Sequence, residues 1–178
     1  MGATTTAMVE PRIELAARAE DALRRVYEVE HTRLVGLARL LVDRREDAEE
    51  VVQEAFARTW ANLGRVRDDD PLPYVRRAVV NLSRGRLRRL RTARAHRAEP
   101  TADAESAEHG AVERDRQRAL LAKLDHLPRR QRECVVLRFY DDLTVPEIAR
   151  SLGVAEGSVK SHLHRALSTL AIELEDQR

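Results

Sequence analysis

The chain has 178 residues, 35% of them charged, yet its formal net charge is only +2. A hydrophobic fraction of 43% with only 3% aromatic residues, few glycines and little β-branched alternation excludes a β-rich fold. The composition predicts an all-helical protein whose charged residues cover the outer helix faces. The single cysteine excludes a disulfide framework and a cysteine-based zinc site, and the apolar run around Cys134 marks it as a buried small hydrophobe. No basic stretch followed by an apolar core opens the chain and no run approaches membrane-spanning length, so the expectation is a cytoplasmic protein with no membrane insertion.

Residues 1–19 form an N-terminal extension with no assigned role. Apolar spacing predicts a first helix from about Ile13 to Tyr27 and a second from about His31 to Val42, on Leu34, Leu37, Ala38 and Leu41. A third begins near Arg45 and carries Val51, Val52, Ala55, Phe56 and Thr59-Trp60 at core spacing. Gly64 to Asp70 reads as a loop in which Asp68 and Asp69 are solvated and Asp70 caps the next helix, with Pro71 in its first turn. That fourth helix, to about Arg94, has Val75, Ala78, Val79 and Leu82 as its buried stripe. Arg76, Arg77, Arg84, Arg86, Arg88, Arg89 and Arg91 populate its other faces. Between 71 and 97 there are nine arginines and no acidic residue, while the segments on either side are net acidic. Such segregation is a local electrostatic footprint for nucleic acid rather than a diffuse solubilising charge.

From 96 to 110 the helical period is lost, and the composition reads as a flexible, mildly acidic linker between two domains. The pattern resumes at Ala111 with Leu120, Leu121 and Leu124 on one face, breaks at Leu127-Pro128, and continues from Pro128 to Tyr140 with Val135, Val136 and Phe139. Two short helices joined by a tight turn then follow. Ile148, Ala149 and Leu152 give the first an apolar face, Pro146 suits its first turn, and Gly153 supplies a left-handed residue to end it. In the second, Val159, Leu163, Ala166, Leu167 and Leu170 face inward and leave Ser158, Lys160, Ser161, His164 and Arg165 outside, with donors suited to phosphates and base edges. The small Ala149, the turn glycine and the inward valine fall at helix-turn-helix spacing. Ala155 stands where a capping serine or threonine is common.

Three further stretches, Asp47 to Trp60, Tyr74 to Arg89 and Leu127 to Tyr140, together with the helix-turn-helix, resemble in residues and order an extracytoplasmic-function sigma factor of the sigma-70 family. The resemblance covers roughly Arg24 to Leu170. It implies a bacterial initiation factor with a sigma-2-like domain at 20–95 and a sigma-4-like domain at 111–175. The partners implied are promoter DNA and core RNA polymerase, through the clamp coiled coil of its largest subunit and the flap of its second subunit. An anti-sigma protein is a usual partner in the family, although no residue here points to one.

By the same resemblance, Asp47, Glu50, Gln53, Glu54 and Arg58 lie on the exposed face that docks on polymerase, Gln53 and Glu54 foremost. Arg76, Arg77, Asn81, Arg84, Arg88 and Arg89 serve the minus-10 element, the arginines attracting phosphates and Asn81 an unstacked base. Opening a duplex costs about a kcal/mol or more per base step, so a protein that opens one without ATP must capture the freed strand. The flipped-base pocket would be the Gly64 to Asp70 loop, which holds no aromatic residue. Ser158, Lys160, Ser161, His164 and Arg165 are assigned to the minus-35 element, Lys160 and Arg165 foremost. His162 and His164 do not share a helix face, so no metal site is expected there.

An enzyme is not expected: there is no glycine-rich phosphate loop, no nucleophile with a supporting base, and no metal-spaced cluster, so neither a catalytic residue nor a cofactor is anticipated. The competing possibility is a stand-alone dimeric helix-turn-helix regulator in which residues 1–95 sense a signal or dimerise.

Overall fold

The computed structural model describes the backbone of residues 6–42, 45–65, 70–94 and 111–175, and the side chains of 17–42, 46–64, 70–86 and 119–172. The expected linker at 96–110 and most of the Gly64 to Asp70 loop lie outside the described residues. Among those described, all regular structure is helical: α1 (Thr6–Arg39), α2 (Arg45–Ala61), a 3-10 turn at Leu63–Arg65, α3 (Leu72–Arg94), α4 (Ala111–His126), α5 (Arg129–Phe139), α6 (Val145–Leu152) and α7 (Glu156–Glu175).

The two N-terminal helices expected from periodicity are one. α1 runs unbroken for 34 residues, because Glu28-Val29-Glu30 contains neither glycine nor proline and only relaxes the apolar period without stopping the hydrogen-bond ladder. The boundary expected between residues 19 and 20 therefore falls inside a helix.

Helices α1, α2 and α3 pack on one another, as do α5, α6 and α7. The first group buries Leu34, Leu37 and Ala38 of α1 against Val51, Val52 and Ala55 of α2 and Val75 and Val79 of α3. Tyr27 sets its ring edge-on to Phe56, centroids 5.0 Å apart, which fixes α1 against α2. Buried hydroxyls are satisfied within their own helices: Thr59 donates to the Ala55 carbonyl at 2.8 Å and Ser83 to that of Val79 at 2.9 Å. Asp70 caps α3 as expected, its Oδ1 accepting from the Leu72 amide at 2.9 Å. In the second group Cys134, Leu137, Ile148 and Val159 are fully enclosed, and Leu124 and Leu127 bring the end of α4 into the same core.

Two residues expected inside, Trp60 and Leu167, are about half exposed, and Phe139 is exposed as well. For Leu167 the reason is angular. Val159, Leu163, Ala166 and Leu170 fall within about 60° of arc on α7, whereas Leu167 stands about 40° beyond the nearest of them. Phe139 and Trp60 lie in the last turns of α5 and α2, where the neighbouring helices no longer cover them.

The two groups are not separate bodies. α3 packs on α6, and the buried residues of both groups form one continuous cluster.

Candidate nucleic-acid interface

Presentation of α7 begins with α6. Thr144 and Glu147 form a capping box in which the Thr144 amide donates to Glu147 Oε2 at 2.8 Å and its hydroxyl donates to the same oxygen at 2.5 Å. The Thr144-Val-Pro-Glu147 spacing carries that signal openly in the sequence. Both donations hold the Glu147 carboxyl below its ordinary range. At the other end Gly153 adopts φ 65° and ψ 43°, a left-handed conformation that a side chain would strain, and turns the chain into α7. Ala155 accepts from the Ser158 and Val159 amides without offering a side-chain cap. Val159 and Ala166, fully buried, seat α7 on α5 and α6. Ser158, Lys160, Ser161, His164 and Arg165 all stand exposed on one outer surface, as expected, while His162 is half-buried.

α3 presents its residues on three sides rather than two. Val75, Val79 and Leu82 face α1 and α2, and Arg86 follows them on the same side. About 100° around the helix, Arg76, Val80 and Ser83 form a second covered face directed at the C-terminal helices. Here the arginines meet carboxylates. Arg84 donates bidentately to Glu133, Nε to Oε1 at 2.6 Å and Nη2 to Oε2 at 2.8 Å. Arg76 pairs with Asp141, whose carboxylate is 2% exposed. Burial pushes the Asp141 carboxyl above the ordinary range, and the charges of Arg76 and Arg33 only partly offset that. Arg77 and Asn81 occupy the remaining, exposed side, and Arg84 Nη1 also donates to Asn81 Oδ1 at 3.1 Å. The side chains of Arg88 and Arg89 lie outside the described residues.

The α2 face divides as well. Gln53, Glu54 and Arg58 are exposed, the last two as an i,i+4 ion pair at 2.5 Å. Asp47 is not on that face. It is 6% exposed and lies beneath Arg86, which bridges it at 2.8 Å to Glu50, so its carboxylate fastens α3 to α2 rather than facing outward. Glu50 is itself exposed but shares that arginine.

Sequence periodicity missed the cross-helix partners altogether. Arg33 of α1 reaches Asp141 at 3.4 Å and Asp142 at 3.3 Å, and Arg132 of α5 donates to the Leu40 carbonyl at 2.6 Å, closing the C-terminal end of α1. Glu133 offered the one available signal: an acid among Arg129, Arg130 and Arg132, immediately before a fully buried Cys134. Burial and the Glu133 charge push the Cys134 thiol up to about 11, which leaves it unreactive near neutrality. Among the described residues no group of histidine, cysteine, aspartate and glutamate is placed to hold a metal, and no helix is long and apolar enough to cross a membrane.

What the surface offers is a solvent-facing polar helix, an arginine helix with part of its charge engaged, and an acidic helix face. Two family models match the chain, Sigma-70 region 2 over residues 26–93 and Sigma-70 region 4 over residues 117–170. The RNA polymerase sigma-E factor of Streptomyces coelicolor is 38% identical over 146 residues, covering 79% of each chain. The ECF RNA polymerase sigma factor SigM of Mycobacterium tuberculosis is 34% identical over 151 residues, 84% of this chain and 76% of its own. The fold matches that of the sigma factor RpoE solved in complex with the anti-sigma factor NepR from Bartonella quintana, with a TM-score of 0.71 at 20% identity over 87% of this chain and 98% of that one.

Proposed function

The chain belongs to the sigma-70 family, among its extracytoplasmic-function members, and from that premise we propose that it places core RNA polymerase on promoters by a two-point grip on DNA. Residues 20–95 supply the downstream contact and 111–175 the upstream one. The observation that carries this reading is α7: five exposed polar residues on a helix held from behind by Val159 and Ala166, in a chain that matches both sigma regions in order.

In this reading Lys160 and Arg165 meet phosphates and base edges of the minus-35 major groove, with Ser158, Ser161 and His164 beside them. Each neutralised phosphate adds about 0.9 to the salt slope of duplex binding. Arg77 and Asn81 meet the minus-10 strand, joined by Arg88, Arg89 and, when released from their carboxylates, Arg76 and Arg84. Gln53, Glu54 and Arg58 form the polymerase-docking face on α2, with Glu50 at its margin. Asp47 is left to its structural role. The chain itself carries out no catalysis and works in the cytoplasm, and an anti-sigma partner would act by covering these faces.

Mixing the purified chain with core RNA polymerase tests the proposal. Co-elution and specific transcription from a cognate promoter are expected. A chain that binds duplex DNA as a dimer and does not associate with core overturns it.

A further inference from the structure

The 32 basic residues of the chain are thirty arginines and only two lysines, Lys123 and Lys160. Both side chains are cationic, but a lysine amine that sheds its proton is a nucleophile, whereas the guanidinium stays protonated and does not react with activated acyl groups. Residues 1–122 contain no lysine. The α2 face of Gln53, Glu54 and Arg58 and the α3 face of Arg77 and Asn81 therefore offer no side-chain amine. The two lysines themselves are not equivalent. Lys123, in the last turn of α4, is half-buried, while Lys160 is exposed on the outer side of α7 and engaged by no described ion pair. Glu156 and His164 stand one helical turn before and after it, and Ser161 and Arg165 complete that outer side. A cationic surface suited to DNA phosphates attracts a small phosphate-bearing molecule as well.

We propose that Lys160 is an acylation site, and that its modification by an acyl phosphate withdraws the minus-35 contact while leaving the grip on polymerase intact. The inference rests on the reading above that α7 meets the minus-35 element. Arg165 draws the phosphate of the reagent to the outer side of α7. The Lys160 amine, its proton passed to the His164 imidazole one turn on, attacks the acyl carbon. A C–N bond forms, the bond from that carbon to the bridging oxygen breaks, and inorganic phosphate leaves with the electron pair. The resulting amide is neutral, so one positive charge disappears from the DNA-facing side and can no longer neutralise a phosphate. Arginine at this position would serve a phosphate at least as well but could not be switched, and that gives the lysine a reason that binding alone does not.

The test treats the full chain with acetyl phosphate, removes the reagent, and assembles the product with untreated core polymerase. Peptide mass mapping should find the acetyl group on Lys160 well ahead of Lys123. The treated chain should still co-elute with core but bind a fluorescent promoter duplex about tenfold more weakly, with a salt slope lower by about 0.9, the share of one phosphate. Lys123→Arg should lose affinity on treatment as the parent does, whereas treatment of Lys160→Arg should change nothing. Acetylation that favours Lys123, a treated Lys160→Arg chain that weakens like the parent, or a treated parent that no longer associates with core overturns the proposal. Acetylation of Lys160 without loss of duplex affinity overturns it too, and Arg165→Ala then tells how far the failure reaches: weaker binding by that variant leaves the minus-35 reading standing, and unchanged binding takes it down as well.

Discussion

Helices α3 and α7 both carry cationic and polar residues and hold them in opposite ways. On α7 the backing residues Val159 and Ala166 are buried, the polar residues point to solvent, and no described ion pair engages Lys160 or Arg165. On α3 the cations closest to the second covered face are enclosed against carboxylates, Arg84 with Glu133 and Arg76 with Asp141. A free cation contributes to binding and almost nothing to folding, whereas an enclosed pair is bound up with both. The two helices should respond differently to the same kind of substitution.

The largest effect should come from removing the support beneath α7. Ile148 is fully buried, and Ile148→Ala should cost about 2–5 kcal/mol in chemical denaturation and weaken minus-35 binding with it. Next are matched arginine deletions. Arg165→Ala should weaken duplex binding by about 1–3 kcal/mol and leave the thermal midpoint where it was. Arg84→Ala should lower the midpoint as well, by an amount corresponding to about 1.5–3 kcal/mol, because Glu133 keeps only Arg130 at 3.2 Å and the more distant Arg129. Equal effects of the two on stability would erase the distinction.

Smaller changes probe the turn and cap that orient α7. Gly153→Ala forces a side chain into left-handed backbone and should cost about 1–2 kcal/mol in thermal denaturation. Glu147 gives a pH signature. Its carboxyl is held below the ordinary 4.5 by Thr144, so the cap contributes fully above that value and is lost as pH falls through the lower folded one. Stability of parent and Glu147→Gln should differ by about 0.5–1 kcal/mol at neutral pH and converge on acidification.

Local periodicity carried much of this architecture. Val75, Val79 and Leu82 on α3, and Ile148, Ala149 and Leu152 on α6, are buried as their spacing demands, and the turn glycine is left-handed. The outer residues of α7 follow from the same geometry, since whatever is not in the stripe must face water. What sequence spacing could not convey is the second covered side of α3. Val80 and Ser83 are buried by helices that follow more than forty residues later, and the partners of Arg76, Arg84 and Arg132 lie 65, 49 and 92 positions away. A charged residue reads as solvated until a distant carboxylate or carbonyl is placed against it. Asp47 shows the same limit: it shares a helix with exposed Gln53 and Glu54 and differs from them only in lying under Arg86.

Arg132 closes the end of α1 by donating to the Leu40 carbonyl across 92 positions of chain. During synthesis that carbonyl emerges from the ribosome long before its partner does, and α1 to α3 must assemble with water in its place. The N-terminal helices thus have a period in which their arginines are uncovered, and it ends when α5 leaves the exit tunnel. A nascent chain stalled before residue 129 should hold nucleic acid more readily than the released protein.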